Sequence, residues 1–415
     1  MYATDIITVV NNETLAETTY TSFSEAFTYS QTLSSATIAL CLNTEFTSAY
    51  TVKNNLTITG DNNSYVFSRG TNYTGALFTI NSGATLTLDG GLIIDGNNNW
   101  LFDEEVYFEN LKVNGRIQDN YTLLTPEINK PVATAYLINV KGTLNLLNVE
   151  FRNCYSKTTG LVSSSTANAM IYINGIYVHN CCNATSSGLV VSMSAALNCI
   201  VDDCLIENNF VGSNHGIFRV YSKSILTLNG GLIQNNKGCN ANGTIVGTYS
   251  GTFIMNGGTI HGNCGLYGKN NGRTAPVYIH NYSTMIMNGG EICHNYGAYG
   301  GIDAPYTNGA SRVTINDGSI VAYNTSTTGN INNDINGHPL GFVINGGTFT
   351  QDVSKFCSEG FELMPNEDGT YGVKEEEWKF YVKVNGEILP AVIYGCQDGI
   401  IKKLSIPTPT WWNKE

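Results

Sequence analysis

The chain predicts an all-β fold: a right-handed parallel β-helix solenoid of about ten to eleven coils, with a short N-terminal capping helix and a small C-terminal β module. Three observations predict it. One phrase, apolar–x–apolar–Asn/Asp–(Gly)–Gly–x–Ile/Leu, returns down the chain, most clearly from Leu226 to Asn235, Phe253 to Asn263 and Met285 to Asn295. Weaker copies centre on Asp89, Asn148, Asn174, Asp202, Asn316 and Asn345. The anchor residues are spaced 59, 26, 28, 27, 27, 32, 28 and 29 apart, the first spacing reading as two periods with an insertion inside it. A fixed period of this size marks stacked repeats. Finally, no segment between the copies sustains a 3.6-residue period, which disfavours the helical repeat classes.

Within a copy, Leu226 and Leu228 point inward and Thr227 outward, the period-two pattern of a half-buried strand. The glycine pair lets the chain turn a corner into a second short strand. The next turn carries Asn153, Asn180, Asn208, Asn235, Asn263, Asn295 and Asn324, five to eight residues past their anchors. Stacked coils bring such amides about 4.8 Å apart. Each can then donate to the next in a ladder that satisfies buried turn groups. From Leu56 to Phe349 the stack predicts a rod roughly 50 Å long.

The ends must be closed, because an open stack exposes edge strands. Residues 1–50 read as the N-terminal cap. Ser22-Phe-Ser-Glu25 is a capping box, and Phe23, Ala26, Phe27 and Leu33 follow at helical spacing, predicting an amphipathic helix from Phe23 to Leu33. An entry strand over Thr37–Leu42 follows. Residues 51–373 read as the β-helix, with an insertion at about 97–131. Residues 374–415 read as a small β module or linker, with a strand over Trp378–Asn385, a hairpin signal at Asn385-Gly386 and a Pro-rich stretch from Ile401 to Thr410.

The coils over about residues 40–350 resemble the pectate-lyase-like superfamily, specifically repeat-rich β-helix surface proteins of Gram-positive bacteria. The tail Leu404-Ser-Ile-Pro407-Thr-Pro409-Thr-Trp-Trp-Asn-Lys-Glu415 resembles the opening half of the β-grasp repeat of internalin-type surface proteins. The Gly-Tyr-x-Phe-x-Gly-Trp segment that usually follows in that repeat is missing. The resemblance implies an adhesin-like protein, secreted or attached to the cell wall, and continuing beyond residue 415.

Charged residues make up only 13% of the chain, so Asn, Ser, Thr, Gly and Tyr must form most of the surface. The formal net charge of −12 argues against nucleic acid and anionic membrane, which select basic stripes. No apolar run approaches the roughly 20 residues of a membrane span. The first basic residue is Lys53, so the start carries no export signal, and Met1 is read as standing in place of a removed one. Eleven cysteines is an odd number. Cys154 and Cys181 each follow a turn Asn, as Cys264 does, and their spacing permits either a disulfide or a stack of buried thiols, the second being favoured. No Cys-x-x-Cys zinc or redox motif occurs.

Chemistry is sparse. Asp202-Asp203, with Asn214-His215-Gly216 twelve residues on, has the residue types of a polygalacturonase site. The spacing departs from that family's, and Asp202 falls at the repeat's own anchor. If the chain is an enzyme, Asp202, Asp203 and His215 are the catalytic candidates. His261 and His294 lie at one turn of adjacent coils and are expected to stack as a surface pair rather than bind metal. No cofactor or metal is expected. The insertion concentrates aromatics and acids in a chain poor in charge: Trp100, Phe102, Asp103, Glu104, Glu105, Tyr107 and Phe108. Tyr267 and Arg273 lengthen one coil, and Tyr296, Tyr299 and Tyr306 the next. Coil insertions often form the binding face, and Tyr and Trp suit sugar rings and protein hot spots alike. The expected function is therefore a non-catalytic surface adhesin, its partner a host glycoprotein such as mucin, an immunoglobulin, or a polysaccharide. A lyase or glycoside hydrolase acting on uronate-containing glycans is the alternative, and a structural stalk the third possibility.

Overall fold

A computed structural model describes residues 6–97, 135–156, 159–183, 188–211, 216–239, 243–266, 275–297, 299–305, 311–326, 333–376, 380–384, 387–391, 394–397 and 400–403. The chain is an all-β parallel solenoid of about eight turns. The count differs slightly from the expected ten to eleven, and one cause lies in the 59-residue spacing. Thr143–Leu147 pairs directly with Thr85–Asp89, and Ile93–Asp95 with Glu150–Arg152. The 59 residues are thus one coil with a long excursion, not two coils.

Each repeat lays its first strand beside the same strand of the previous copy. Ile225–Leu228, Thr252–Met255, Thr284–Met287, Arg312–Ile315 and Phe342–Ile344 stack in parallel. After the corner, Leu232–Gln234, Thr259–His261, Gly290–Cys293, Ser319–Ala322 and Thr348–Phe349 stack likewise. A ten-stranded parallel sheet and a shorter seven-stranded one form the remaining walls. Leu226, Phe253, Met285 and Val313 fill one interior column, all fully or almost fully buried. Ile233, Ile260, Ile292 and Val321 fill the next.

The glycine pair does two jobs at the corner. Gly258 has φ +81°, a conformation that disfavours a side chain. A Cβ on its neighbour Gly257 would lie 2.4 Å from the Asn229 carbonyl oxygen of the preceding coil. In two coils without the pair, Met170–His179 and Asn198–Glu207 run through the corner as ten-residue strands. Their pairing is irregular around Asn174.

Two amide ladders run along the rod. The interior one is Asn209, Asn236, Asn263, Asn295 and Asn324, each Nδ2 donating to the next Oδ1 at 2.9–3.1 Å. Each backbone N–H of Asn209, Asn236, Asn263 and Asn295 also donates to the next amide oxygen. Asn324 closes the ladder by donating to Asp334. Asp334 Oδ2 takes three further bonds, from Thr350 N and Oγ1 and Gln351 N. Burial pushes its carboxyl above the ordinary carboxylate range, and these donors pull against that.

The expected ladder is right in kind and partly wrong in register. Asn153, Asn180, Asn208 and Asn235 precede the ladder position and have φ of 50–55°. Asn tolerates this left-handed region because its short polar side chain bonds locally. The rungs are the residues that follow: Asn209 and Asn236, with Cys154 and Cys181 at the same position in the earlier coils. Cys154 and Cys181 are therefore equivalent, as expected, and both are buried thiols. Cys264 is not their equivalent: it pairs in register with Lys237 and Tyr296, one place further along. The second ladder joins the outward anchors: Asn345, Asn316, Asn288, Asn256 and Asn229 each donate to the preceding anchor, ending on Asp202.

The helix spans Phe23–Ser30, shorter than expected, with Ser22 Oγ accepting from Glu25 N at 3.4 Å. Phe23 packs on Phe46, Tyr50 and Phe67 with ring centroids 5.1–5.7 Å apart, closing the apolar end of the rod. The entry strand is Ser35–Ala39. Its edge is covered by an antiparallel hairpin, Ile7–Asn11 with Glu17–Tyr20, absent from the sequence-based expectation. At the other end Tyr371–Glu375 pairs antiparallel with both Thr348–Phe349 and Phe361–Pro365. Beyond it, Phe380–Val384 and Glu387–Ala391 form the hairpin that Asn385-Gly386 signals.

Candidate functional site

Strand register assembles a charged group that no local motif announces. Asp95, Arg152, His179, Glu207, Gln234, His261 and Cys293 are direct neighbours across successive coils after the corner. Two residues earlier on the same outward face stand Glu150 and Tyr177. Alternation forces this arrangement: Phe151, Val178 and Ile206 point into the core, so their neighbours point out.

The group is tied together by its own hydrogen bonds. Arg152 Nε meets Asp95 Oδ2 at 2.8 Å, and Nη1 meets Glu150 Oε1 at 3.3 Å. The Asp95 hydrogen bond is the main reason the Arg152 guanidinium lies above its ordinary range. His179 Nε2 lies 3.0 Å from the same Glu150 oxygen. The His179 ring is stacked on Tyr177, centroids 4.3 Å apart and 18° from parallel. Tyr177 OH donates to Glu207 Oε1 at 3.1 Å, and Gln234 Nε2 to Glu207 Oε2 at 2.8 Å. Burial, then the Glu207 hydrogen bond, pushes the Tyr177 phenol up. Side-chain exposures of 15–32% for Asp95, Glu150, Arg152 and His179 leave these groups within reach of a ligand. Together they present carboxylates, a guanidinium fork, an imidazole and a flat ring pair: hydrogen-bonding groups of both kinds beside an aromatic platform.

The expected insertion site is adjacent in the chain. The described chain stops at Asn97, two residues past Asp95, and resumes at Ala135. Trp100, Phe102, Asp103, Glu104, Glu105, Tyr107 and Phe108 lie outside the described residues, as do Tyr267, Arg273, Tyr306 and His215. Tyr296, 41% exposed, stands beside Cys264 on the shortest parallel sheet. Tyr299 is half-buried in the turn before Gly300. Tyr296 is on a different wall from the charged group, and Tyr299 is in the turn that follows Tyr296.

Asp202 is engaged structurally. Its Oδ1 ends the outward ladder by accepting from Asn229, and its Oδ2 accepts from Tyr172 OH at 2.5 Å. Tyr172 first, then Asn229, holds it below the ordinary carboxylate range. Asp203 is exposed. His261 and His294 do meet, edge to face at 5.1 Å, and Tyr323 stacks on His294 at 5.0 Å. Among the described residues no group of three metal-binding side chains converges.

No family model, curated protein or solved structure matches the chain.

Proposed function

We propose that the protein is a non-catalytic binding rod displayed on a Gram-positive cell surface, holding a polyhydroxylated ligand against its outward charged face. The ligand class is a glycan, carried by a host glycoprotein such as mucin, by immunoglobulin, or in a polysaccharide. The observation that carries this reading is the Asp95–Arg152–Glu150–His179–Tyr177–Glu207 network. A stalk that only spaces other modules gains nothing from gathering charge at one spot, and this chain is 13% charged. Sugar hydroxyls both donate and accept, which suits carboxylates and guanidinium side by side, and a flat ring pair suits their apolar faces. The neighbouring insertion adds aromatics and acids in sequence. The extracellular location rests on the resemblance of the coils and tail.

One observation favours a second reading. Glu150 and His179 form a carboxylate–imidazole pair, the equipment of general acid–base chemistry, so glycan cleavage is the runner-up. The test is retention of the full chain on immobilised mucin, immunoglobulin and a polysaccharide panel, with released sugar measured in the same wells. Retention without release supports the binding rod, and E150A/R152A should weaken it at least tenfold, about 1.4 kcal/mol. Unchanged retention by E150A/R152A moves the site elsewhere. Released unsaturated or reducing sugar replaces the binding reading with the enzymatic one.

A further inference from the structure

The interior of the solenoid contains an arginine. Along Val66–Arg69 the alternation that buries Phe67 in the core also turns Arg69 inward, and Arg69 is 4% exposed. Its Nη2 donates to the carbonyls of Gly75 at 2.9 Å and Ala135 at 3.4 Å. Its Nε has no partner. Among the described residues no carboxylate lies within ion-pair distance of it. Among the described residues, the titratable groups that act on its charge are the Cys154 thiol and the Tyr73 phenol. Removing a cation from water without a counter-ion is costly, several kcal/mol per ion after relaxation.

The guanidinium lines a cavity whose other walls include Cys154, Ser156, Leu161, Cys182 and Leu189. The cavity volume is about 10 Å³, room for a single small particle. A sulfate, phosphate or carboxylate, with several oxygens on a central atom, is too large. Apart from the guanidinium and Tyr155 the side-chain walls are thiol and aliphatic, and the Ser156 hydroxyl is already bonded to Thr159. A fluoride or hydroxide ion, which needs several strong donors, is poorly served here. A larger, weakly hydrated, polarisable anion is well served by N–H donors and soft walls.

We propose that this cavity is a buried halide site, occupied by chloride in solution, with Arg69 Nε as its donor and Arg69 as its counter-ion. The site is separate from the outward charged face. It locks the coil of Val66–Arg69 to that of Cys154 across the turn where the long insertion leaves the rod.

The test is diffraction from crystals of the full chain grown in bromide, with thermal melts in chloride against gluconate at fixed ionic strength. The expected result is an anomalous bromide peak beside Arg69 Nε and a melting temperature that climbs with chloride. Each tenfold rise well above half-saturation should lower the unfolding constant close to tenfold. R69M should remove both the peak and the chloride slope. R69K, which keeps a cation, should retain a slope. Wild-type crystals without a bromide peak, together with melts insensitive to chloride, overturn the proposal whether or not R69M folds. A slope that survives in R69M assigns the chloride effect elsewhere and also overturns it.

Discussion

Replacing Asp334 by Asn takes one acceptor oxygen from the end of the interior ladder, and the geometry sets the consequence. Oδ1 accepts from Asn324 N and Nδ2, both at 3.2 Å, and Oδ2 from Thr350 N, Thr350 Oγ1 and Gln351 N at 2.7–2.9 Å. An amide has one oxygen. Turned toward Thr350 and Gln351, it sets its NH₂ against both donors of Asn324. Turned the other way, it meets two backbone N–H groups, with only the Thr350 hydroxyl able to reorient. The ladder cannot reverse to accommodate it, because the backbone N–H of each rung from Asn209 to Asn295 holds the next amide oxygen in place. The first orientation strands the Asn324 N–H, since Asn324 Nδ2 keeps the Ile292 and Ala322 carbonyls, and the second strands two backbone N–H groups, at roughly 1–3 kcal/mol each. Removing a carboxylate that burial disfavours offsets part of this, leaving a net cost of about 1–2 kcal/mol. Urea denaturation measures the global effect. Amide exchange at Asn324, Thr350 and Gln351 locates it, since solenoids can lose their terminal coils separately. A D334N midpoint within about 0.5 kcal/mol of wild type, with protection of those amides intact, would refute the reasoning.

Other consequences are as direct. Asp202 lies below its ordinary value of 3.8, so its stabilising contribution is present above that pH and is lost as pH falls through the lower folded value. Stability measured from pH 5 to 2 should therefore be flatter for D202N than for wild type. Gly258→Ala places a Cβ 2.9 Å from the Gly230 carbonyl at φ +81°, and should cost at least about 1–2 kcal/mol in denaturant titration. Phe23→Ala removes the ring that closes the N-terminal end and should cost about 3–5 kcal/mol, with exchange protection lost first in Ser35–Ala39 and Asn55–Thr59. A loss confined to the distal coils would contradict that role.

Much of the architecture was legible because the anchors announce it. The corner glycines and the apolar pairs before them carry period and fold without help. The columns were harder to read. Asn208-Asn209 and Asn235-Asn236 are each two asparagines in a row, and only the positive φ of the first separates turn from rung. In the later coils Gly262, His294 and Tyr323 take the turn position, so Asn263, Asn295 and Asn324 are rungs as the sequence reading expects. Coil lengths vary, so sequence distance does not give register, and an excursion inside a coil looks like a missing coil. The charged face suffers from the same ambiguity. Arg152 and His179 are 27 residues apart and Glu207 a further 28, one coil each, but that matters only once the strands are known to be in register. Charges recurring at the coil period in a charge-poor chain were the available signal. The N-terminal hairpin had alternation in Ile7–Asn11 but no tight Asn-Gly turn to mark it.

The two ladders run in opposite directions over the same part of the rod, and that arrangement has a physical reason. Interior amides donate toward the C-terminal end and outward amides toward the N-terminal end, five asparagines in each. A column of aligned amides accumulates a dipole as a helix does, with unsatisfied donors at one end and acceptors at the other. Both donor ends finish on an acceptor-only group: Asp334 for the interior column, Asp202 for the outward one. At the acceptor end of the outward column Ser358 Oγ donates to Asn345. At the acceptor end of the interior column the Cys181 N–H donates to Asn209, and beyond the Cys181 and Cys154 thiols stands the Arg69 cation. The interior column is thus bracketed by charges of the sign its dipole favours. Its direction is enforced at every rung by backbone N–H groups, whereas the outward column is directed by its ends. The same Asp→Asn change should therefore be expensive at Asp334, in the buried column, and mild at Asp202, where solvent can serve an amide that loses its partner.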